Sequence, residues 1–369
     1  MPEWVTSLTM ESFLRASLVL LGFIGLLFVL SLIVPGKRQA GVKNRDGSQV
    51  QYTLNGFAIF LSVVALGALG VRFQILDLTF PVRNFGGLFV AANVFAFAWT
   101  FLLYFWGKSK AAPDAPRRGG LVQVVKDLFY GVELNPAIAG IDLKLFSYRP
   151  SLIGLGVLNV SFAFAQIAKY GHLSTPMMLF QIFYFLYLVN YFQFEYGMIY
   201  TWDIIAERFG WMLVWGDYVL VPFFYSVPGW YLIDRTEDLP LWQIAGLSVL
   251  YTVGFCLFRG SNEQKHQYKH NPRCTIWGKP AEALGGKLLV SGFWGIGRKL
   301  NYTGELMMYY AWTLPCGFHS VIPFLLPLWL TVFFPHRAWR DEQRCHEKYG
   351  PLWEEYCRRA KFRMLPFLY

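Results

Sequence analysis

The sequence predicts an all-α, polytopic integral membrane protein with about ten transmembrane helices. Three observations carry that expectation. The 369 residues are 55% hydrophobic and 19% aromatic but only 15% charged, far more apolar than an ordinary globular domain. Apolar runs of about 17 to 25 residues recur along the chain, the length that spans a hydrocarbon core of about 30 Å. Stretches of about ten residues with alternating hydrophobicity, the mark of a membrane barrel, are absent, so helices must satisfy the backbone polar groups.

The first run, 13–34, is expected to stay as a helix. It is too long for a secretory signal, Glu3 and Glu11 precede it, and no small-residue cleavage site follows. Further spans fall near 57–76, 86–106, 152–170, 177–196, 211–232 and 242–258, and the stretch 303–335, divided by "LPCGFHS", holds two more. Basic residues gather in 35–47, 107–120, 259–302 and the final tail, whereas the N-terminus and "IDRTEDLP" (233–240) are acidic or balanced. With helices alternating in direction every basic loop falls on one side. The positive-inside bias makes that side the cytoplasm, with the C-terminus on it. The same bias accounts for most of the +10 net charge, so no nucleic-acid partner is expected.

Cys256, Cys274, Cys316, Cys345 and Cys357 show no paired spacing and are odd in number, which points to reduced thiols rather than a disulfide frame. His266 and His270 stand four residues apart, but they lack the acid of a helical zinc motif and are flanked by Lys265 and Lys269. No metal site is expected.

Two hydrophilic segments, 259–302 and 336–369, are too long and too patterned to be connectors. In "HRAWRDEQRCHEKYG" a helix would stack Arg340, Arg344 and Lys348 one turn apart, where like charges cost about 0.2 to 0.5 kcal/mol per pair. A solvated face tolerates such a stripe; a ligand with several negative charges would use it. Upstream, Lys265 and Lys269 repeat the spacing, and Arg298 and Lys299 stand beside Asn301 and Tyr302. Interleaved with Trp294, Tyr349, Trp353 and Tyr356, the two basic clusters suit a ligand with phosphates and flat rings, such as a nucleotide cofactor. No GxGxxG follows a strand and no P-loop sequence occurs; "GFWGIG" is a weak glycine-rich string. Any nucleotide is therefore expected on the cytoplasmic ends of helices in the C-terminal half.

Four ordered blocks carry a resemblance. They are "GVELNPAIAGIDLKLFSYRPSLIG" (131–154), "TWDIIAERFGWMLVWGDYVLVPFFYSVPGWYL" (201–232), "LLVSGFWGIGRKLNYTGELM" (288–307) and "HRAWRDEQRCHEKYGPLWEEYCRRAKFRMLPFLY" (336–369). Through them, and more loosely through "GSQVQYTLNGF", the chain resembles the sterol reductases, the family of delta-14, delta-7 and delta-24(28) reductases and of the membrane part of the lamin B receptor. The resemblance implies a single membrane domain with N-terminal helices over 1–130, sterol-pocket helices over 131–258 and an NADPH-binding half over 259–369. It implies reduction of a sterol carbon–carbon double bond inside the bilayer. It also places Lys265, Leu289, Trp294, Asn301, Tyr302, Asp341, Cys345, Lys348, Tyr349 and Tyr356 on NADPH, to which the charge pattern adds Lys269, Arg298, Arg337 and Arg344. Lys269 stands where the family often has arginine, Lys299 replaces a histidine, and Glu305 replaces a common aspartate. Lysine keeps the charge but loses the bidentate fork.

An isolated alkene is a poor hydride acceptor, so a proton must first make a carbocation-like carbon, and a buried acid is required. Asp217 in "VWGDYVLVPFFY" lies within an apolar run, with Tyr218, Tyr225 and Tyr231 on the same segment. A tyrosine can serve if a neighbour polarises its hydroxyl, whose ordinary pKa is about 10. The resemblance points to Tyr225 as proton donor, with Asp217 and Asp203 organising its network; Glu195 and Glu207 are lesser candidates at a span end. The bland alternative has Asp217 pairing with a neighbouring helix and Tyr225 only packing. The "ELNPAIAGIDLKLF" block and the compact length fit the delta-14 members, while "RKLNYTGE" leaves delta-24(28) and delta-7 reduction open. Two other classes stand beside these: an S-adenosylmethionine-dependent membrane methyltransferase, whose "RHPxYxG" element "RKLNYTG" resembles, and a non-catalytic sterol-binding scaffold. The expected location is the inner membrane in a bacterium or the endoplasmic reticulum membrane in a eukaryote.

Overall fold

In the computed structural model, residues 9–43, 47–110 and 120–365 are described. Glu3, most of the basic stretch 107–120 and the last four residues lie outside the described residues. The chain divides into two units, Met1–Leu173 with Tyr184–Asp234, and Ser174–Phe183 with Arg235–Tyr369.

Helix α1 (Met10–Ile33) begins at Thr9 and Ser12, whose side chains cap each other's backbone N–H, and its apolar run stops just before Pro35. The expected first loop folds instead into an antiparallel hairpin, β1 (Lys37–Lys43) and β2 (Gln49–Leu54), with Lys37 opposite Leu54. Helices α2 (Gly56–Arg72), α3 (Phe80–Arg83), α4 (Phe85–Ser109) and α5 (Leu121–Tyr130) follow. A two-residue hairpin, β3 (Ala137–Ile138) with β4 (Ile141–Asp142), delivers Asp142 as the N-cap of α6 (Leu143–Tyr170), where its carboxylate accepts the Leu145 N–H at 2.9 Å. After α7 (Thr175–Gln193) come a 3-10 turn at Glu195–Tyr200, α8 (Trp202–Ile205), α9 (Trp211–Trp215), a π-helical segment Gly216–Phe224 and α10 (Val227–Leu232).

Two buried charges tie this unit together. Arg149 of α6 donates to the Ser31 hydroxyl at 2.5 Å, the Thr53 carbonyl at 3.2 Å and Glu195 Oε1 at 3.2 Å. The other oxygen of Glu195 accepts the Gly56 N–H at 2.8 Å, so one ion pair closes the start of α2 as well. Lys144 places its ammonium against the carbonyls of Asp203, Ile204 and Glu207 at 2.7 to 3.0 Å. Those carbonyls end a short helix, and a cation there satisfies them. Glu195 therefore has a structural partner.

The second unit is built on α11 (Leu241–His270) and α13 (Leu300–Thr313). Their backbones touch: a Cβ at Gly304 would lie 2.4 Å from the Gly254 carbonyl and 2.5 Å from the Phe258 nitrogen. Small residues permit such a crossing, and the gain is close helix packing. Between them the chain makes two hairpins, β5 (Thr275–Ile276) with β6 (Lys279–Pro280) and β7 (Ala283–Leu284) with β8 (Leu288–Leu289), and the short α12 (Phe293–Ile296). Helices α14 (Leu325–Tyr349) and α15 (Pro351–Arg359) complete it, joined at Gly350.

The chain is all-helical in its main elements and membrane-spanning, but the helix count is corrected. Among the described residues five helices are long and apolar enough to cross a bilayer, α1, α4, α6, α7 and α11, not about ten. The remaining runs fail for separate reasons. Helix α2 has 17 residues. The run 211–232 is apolar throughout, yet its π-helical middle holds Pro222 and Pro228–Gly229 follow, so it forms three short pieces. The stretch 303–335 is split by "LPCGFHS", leaving α13 at 14 residues, and the second half of α14 carries the charged tail.

Candidate functional site

The second unit gathers most of the residues that the tail and its upstream partner nominated. Trp294 is buried by a bond from its indole N–H to the Ser261 carbonyl at 2.7 Å, and the Lys265 ammonium lies 4.7 Å from its ring centroid. Leu289 packs with Tyr268, Ile276 and Trp294 in one small core. Tyr356 and Trp353 form another, flanked by Cys345 and Tyr349, and the Tyr356 hydroxyl donates to the Trp294 carbonyl at 3.3 Å.

Charge concentrates on one face of α14. At 100° per residue Asp341, Arg344, Cys345 and Lys348 fall on a common side. Lys299 is paired with Asp341 there, Arg344 stands 4.0 Å from the same carboxylate, and Lys265 and Lys299 are within electrostatic reach of each other and of Cys345. Lys269 is within reach of Lys348, whose ammonium sits 5.0 Å from the Tyr349 ring centroid. Lys265, Lys299 and Arg344 thus act on one carboxylate, with Lys269 and Lys348 adding further positive charge beside them. Such an excess attracts an anion.

Asn301 and Tyr302 open α13 beside this cluster. Tyr302 stacks on Phe334 with centroids 5.0 Å apart, and Asn301 donates to Asn262 at 3.5 Å. The Asn301 carbonyl oxygen is buried with no hydrogen-bond partner among the described residues. An orphan acceptor of that kind asks for a donor from outside the chain. Arg337, one turn before Asp341, faces Glu305 electrostatically.

Arg298 is used differently. Its Nε donates to Glu342 at 2.8 Å and its Nη1 to the carbonyls of Ala360 and Lys361 at 2.5 and 3.1 Å. The backbone N–H groups of Arg298 and Lys299 reach the carbonyls of Phe362 and Arg363 at 2.9 and 2.7 Å, and Thr303 reaches that of Met364 at 2.6 Å. The guanidinium clips the C-terminal segment onto the start of α13. A groove of about 590 Å³ on the other face of α14 is lined by Glu342, Glu347 and Glu354 against one arginine, Arg363, which is already paired with Glu342.

In the first unit the structure brings Asp203 and Asp217 within electrostatic reach of each other through a residue that the sequence reading did not single out, Tyr148. Its hydroxyl lies 3.4 Å from Asp203 Oδ2. The signal was present in the "LFSYRPS" block, but nothing local marks which phenol meets the acids. Tyr218 instead shares a 3.1 Å hydrogen bond with Ser147. Tyr225 ends the π-helical segment, half-buried, and its carbonyl accepts the Tyr184 hydroxyl. Glu207 accepts the Trp202 indole N–H at 2.5 Å.

Comparison with known proteins places the chain. The profile of the Ergosterol biosynthesis ERG4/ERG24 family matches residues 7–369. The chain belongs to that family. Its relatives include the Delta(14)-sterol reductase of Arabidopsis thaliana, 40% identical over 96% of both chains. The Delta(14)-sterol reductase of Methylotuvimicrobium alcaliphilum is 39% identical over 92% of this chain and 80% of its own. The 7-dehydrocholesterol reductase of Danio rerio is 32% identical over 90% of this chain and 73% of its own. As a member of the ERG4/ERG24 family, the chain carries both the cationic cluster and the paired aspartates within the matched residues.

Proposed function

We propose that this chain reduces a carbon–carbon double bond of a sterol with NADPH as the hydride donor, and that the bond is the delta-14 one. The observation that carries the reading is the match, at 40% and 39% identity over nearly the whole chain, to two proteins named Delta(14)-sterol reductase. It is an oxidoreductase of lipid metabolism, held in a membrane by its long apolar helices.

The second unit fits NADPH on two counts. The ammonium groups of Lys265, Lys269, Lys299 and Lys348, with Arg344, leave positive charge that phosphates neutralise. The orphan Asn301 oxygen offers an acceptor to a carboxamide N–H. Lys265, Lys269, Arg344 and Lys348 would hold the phosphates. Trp294, Tyr302, Tyr349 and Tyr356 would flank the rings, with Leu289, Cys345 and Arg337 at the margin. Asp341 holds Lys299 in place, and Arg298 holds the C-terminal segment behind the site. When bound, NADPH supplies the hydride.

The proton comes from the chain itself. Tyr225 hands its hydroxyl proton to one alkene carbon, and Asp217 with Asp203 orients the polar network beside it. Loss of that proton is feasible only while a neighbour polarises the phenol, since its ordinary pKa is about 10. The basic C-terminal half faces the cytoplasm by the positive-inside rule, in the inner membrane of a bacterium or the endoplasmic reticulum of a eukaryote.

The test is direct. Purified protein in detergent is incubated with NADPH and, separately, sterols unsaturated at delta-14, delta-7 and delta-24(28), and products are followed by mass and retention time. Reduction of the delta-14 sterol is the expected result. Reduction of the delta-7 sterol alone would move the assignment to the bond named by the Danio rerio relative. Retained NADPH binding without reduction of any of the three would overturn the sterol reading.

A further inference from the structure

Among the described residues of the first unit, helix α5 presents an apolar face that is largely uncovered, with only its Phe129 end against Trp211. Leu121, Val122, Val125 and Phe129 are 79%, 71%, 56% and 37% exposed. At 100° per residue the four fall within an arc of about 100°, while Gln123, Lys126, Asp127 and Tyr130 occupy the opposite arc. The helix is therefore amphipathic, with its oily side outward.

On its polar side Asp127 is the anchor, while Gln123, Lys126 and Tyr130 stay exposed. Asp127 is only 7% exposed, accepts from Gln123 at 2.7 Å and meets the Lys108 ammonium at 2.6 Å. Lys108 belongs to the last turn of α4, one of the helices long and apolar enough to cross a bilayer, so the bridge fixes α5 at the level where that span ends. Rings and cations that favour a membrane–water boundary surround it. Phe129 lies 5.6 Å from Trp211, Lys110 sits 3.9 Å over the Trp106 ring, and Lys126 and Arg208 are exposed beside the helix. The outward surface of α4 below this level is apolar as well, with Leu102 and Phe105 60% and 65% exposed.

We propose that α5 is an interfacial helix that lies along the bilayer surface, with Leu121, Val122, Val125 and Phe129 among the acyl chains and Lys126 and Arg208 at the headgroup phosphates. The occupant of its apolar face is lipid. Continuity with the apolar surface of α4 argues for that occupant, and the surrounding cations argue for a phospholipid surface rather than a second protein.

The full chain in phosphatidylcholine and phosphatidylglycerol nanodiscs tests this, with a benzophenone amino acid replacing Val125 or, separately, Leu121. Phe105 on α4 is the lipid-facing control and Gln123 the polar control. Irradiation is expected to give phospholipid adducts at Val125 and Leu121 comparable with those at Phe105 and at least about fivefold above Gln123. Yields at both positions no higher than at Gln123, or a covalent dimer of the chain in place of the lipid adduct, would overturn the proposal. Adduct formation at Phe105 in the same preparation establishes that the chain is inserted.

Discussion

The ion pair of Lys299 and Asp341 is where a single residue has the clearest consequence. Burial alone would raise the Asp341 carboxyl, but the Lys299 ammonium and its hydrogen bond, with Lys265 and Arg344, hold it below the usual carboxylate range. Burial would lower the Lys299 ammonium, and Asp341 and Tyr302 turn it upward instead. A lowered carboxyl adds stability that is present above its unfolded value, about 3.9, and is lost as pH falls through the folded value. A raised ammonium adds stability that is present below about 10.4 and is lost as pH rises through the folded value. Asp341→Asn should therefore lower thermal stability across the neutral range, by about 1 to 3 kcal/mol, and flatten both the acid and the alkaline decline. Melting curves from pH 3 to 11 read this; a variant that matches the parent at neutral pH and through both declines would show that the pair contributes nothing. Arg298→Leu acts differently, by releasing Ala360 and Lys361 while Glu342 keeps Arg363 at 2.6 Å. A loss of about 3 kcal/mol and faster proteolysis of the C-terminal segment are expected. Lysine should rescue little of it, since one ammonium cannot reproduce the fork.

At the scale of elements, the crossing of α11 and α13 sets where Asn262 and Asn301 meet. Gly304→Val puts a branched side chain where a Cβ already lies 2.4 Å from the Gly254 carbonyl, so the helices must separate. Destabilisation of about 1 to 3 kcal/mol and weakened NADPH binding are expected, read by melting and by titration. Gly246→Ala on the same helix α11 meets nothing within 4 Å and should leave binding intact with a gain of about 0.5 to 1 kcal/mol. Equal losses from both would remove the crossing as the cause. These contacts also mark the limit of what could be read along the chain. Apolar length made the long helices legible, and i,i+4 charge made the basic face of α14 legible. The break at 211–232 was not, because hydropathy does not register the cost of Pro222 and Pro228 inside a helix. Nor was the task of Arg298, whose acceptors Ala360 and Lys361 are backbone carbonyls 62 and 63 residues away and leave no trace in side-chain identity. Tyr148 and Asp203 meet across 55 residues, so the sequence could name the acids but not their phenol.

For the whole molecule, the two units carry different chemistry, so their variants should separate in kinetics. Lys348→Ala removes one charge from the cationic face and should raise the KM for NADPH about tenfold, the equivalent of 1.4 kcal/mol, with the sterol KM unchanged. Tyr225→Phe should abolish turnover while NADPH binding persists, because it deletes only a hydroxyl. Retained turnover in Tyr225→Phe would remove that residue as the acid, and the geometry then names its successor. Tyr148 has its hydroxyl 3.4 Å from Asp203 and within electrostatic reach of Asp217, the two carboxyls expected to organise proton delivery. In that case Tyr148→Phe should carry the loss, and a full NADPH titration in both variants would keep a folding defect apart from a chemical one. A phenol that only packs would lower binding and turnover together; a phenol that donates the proton would lower turnover alone.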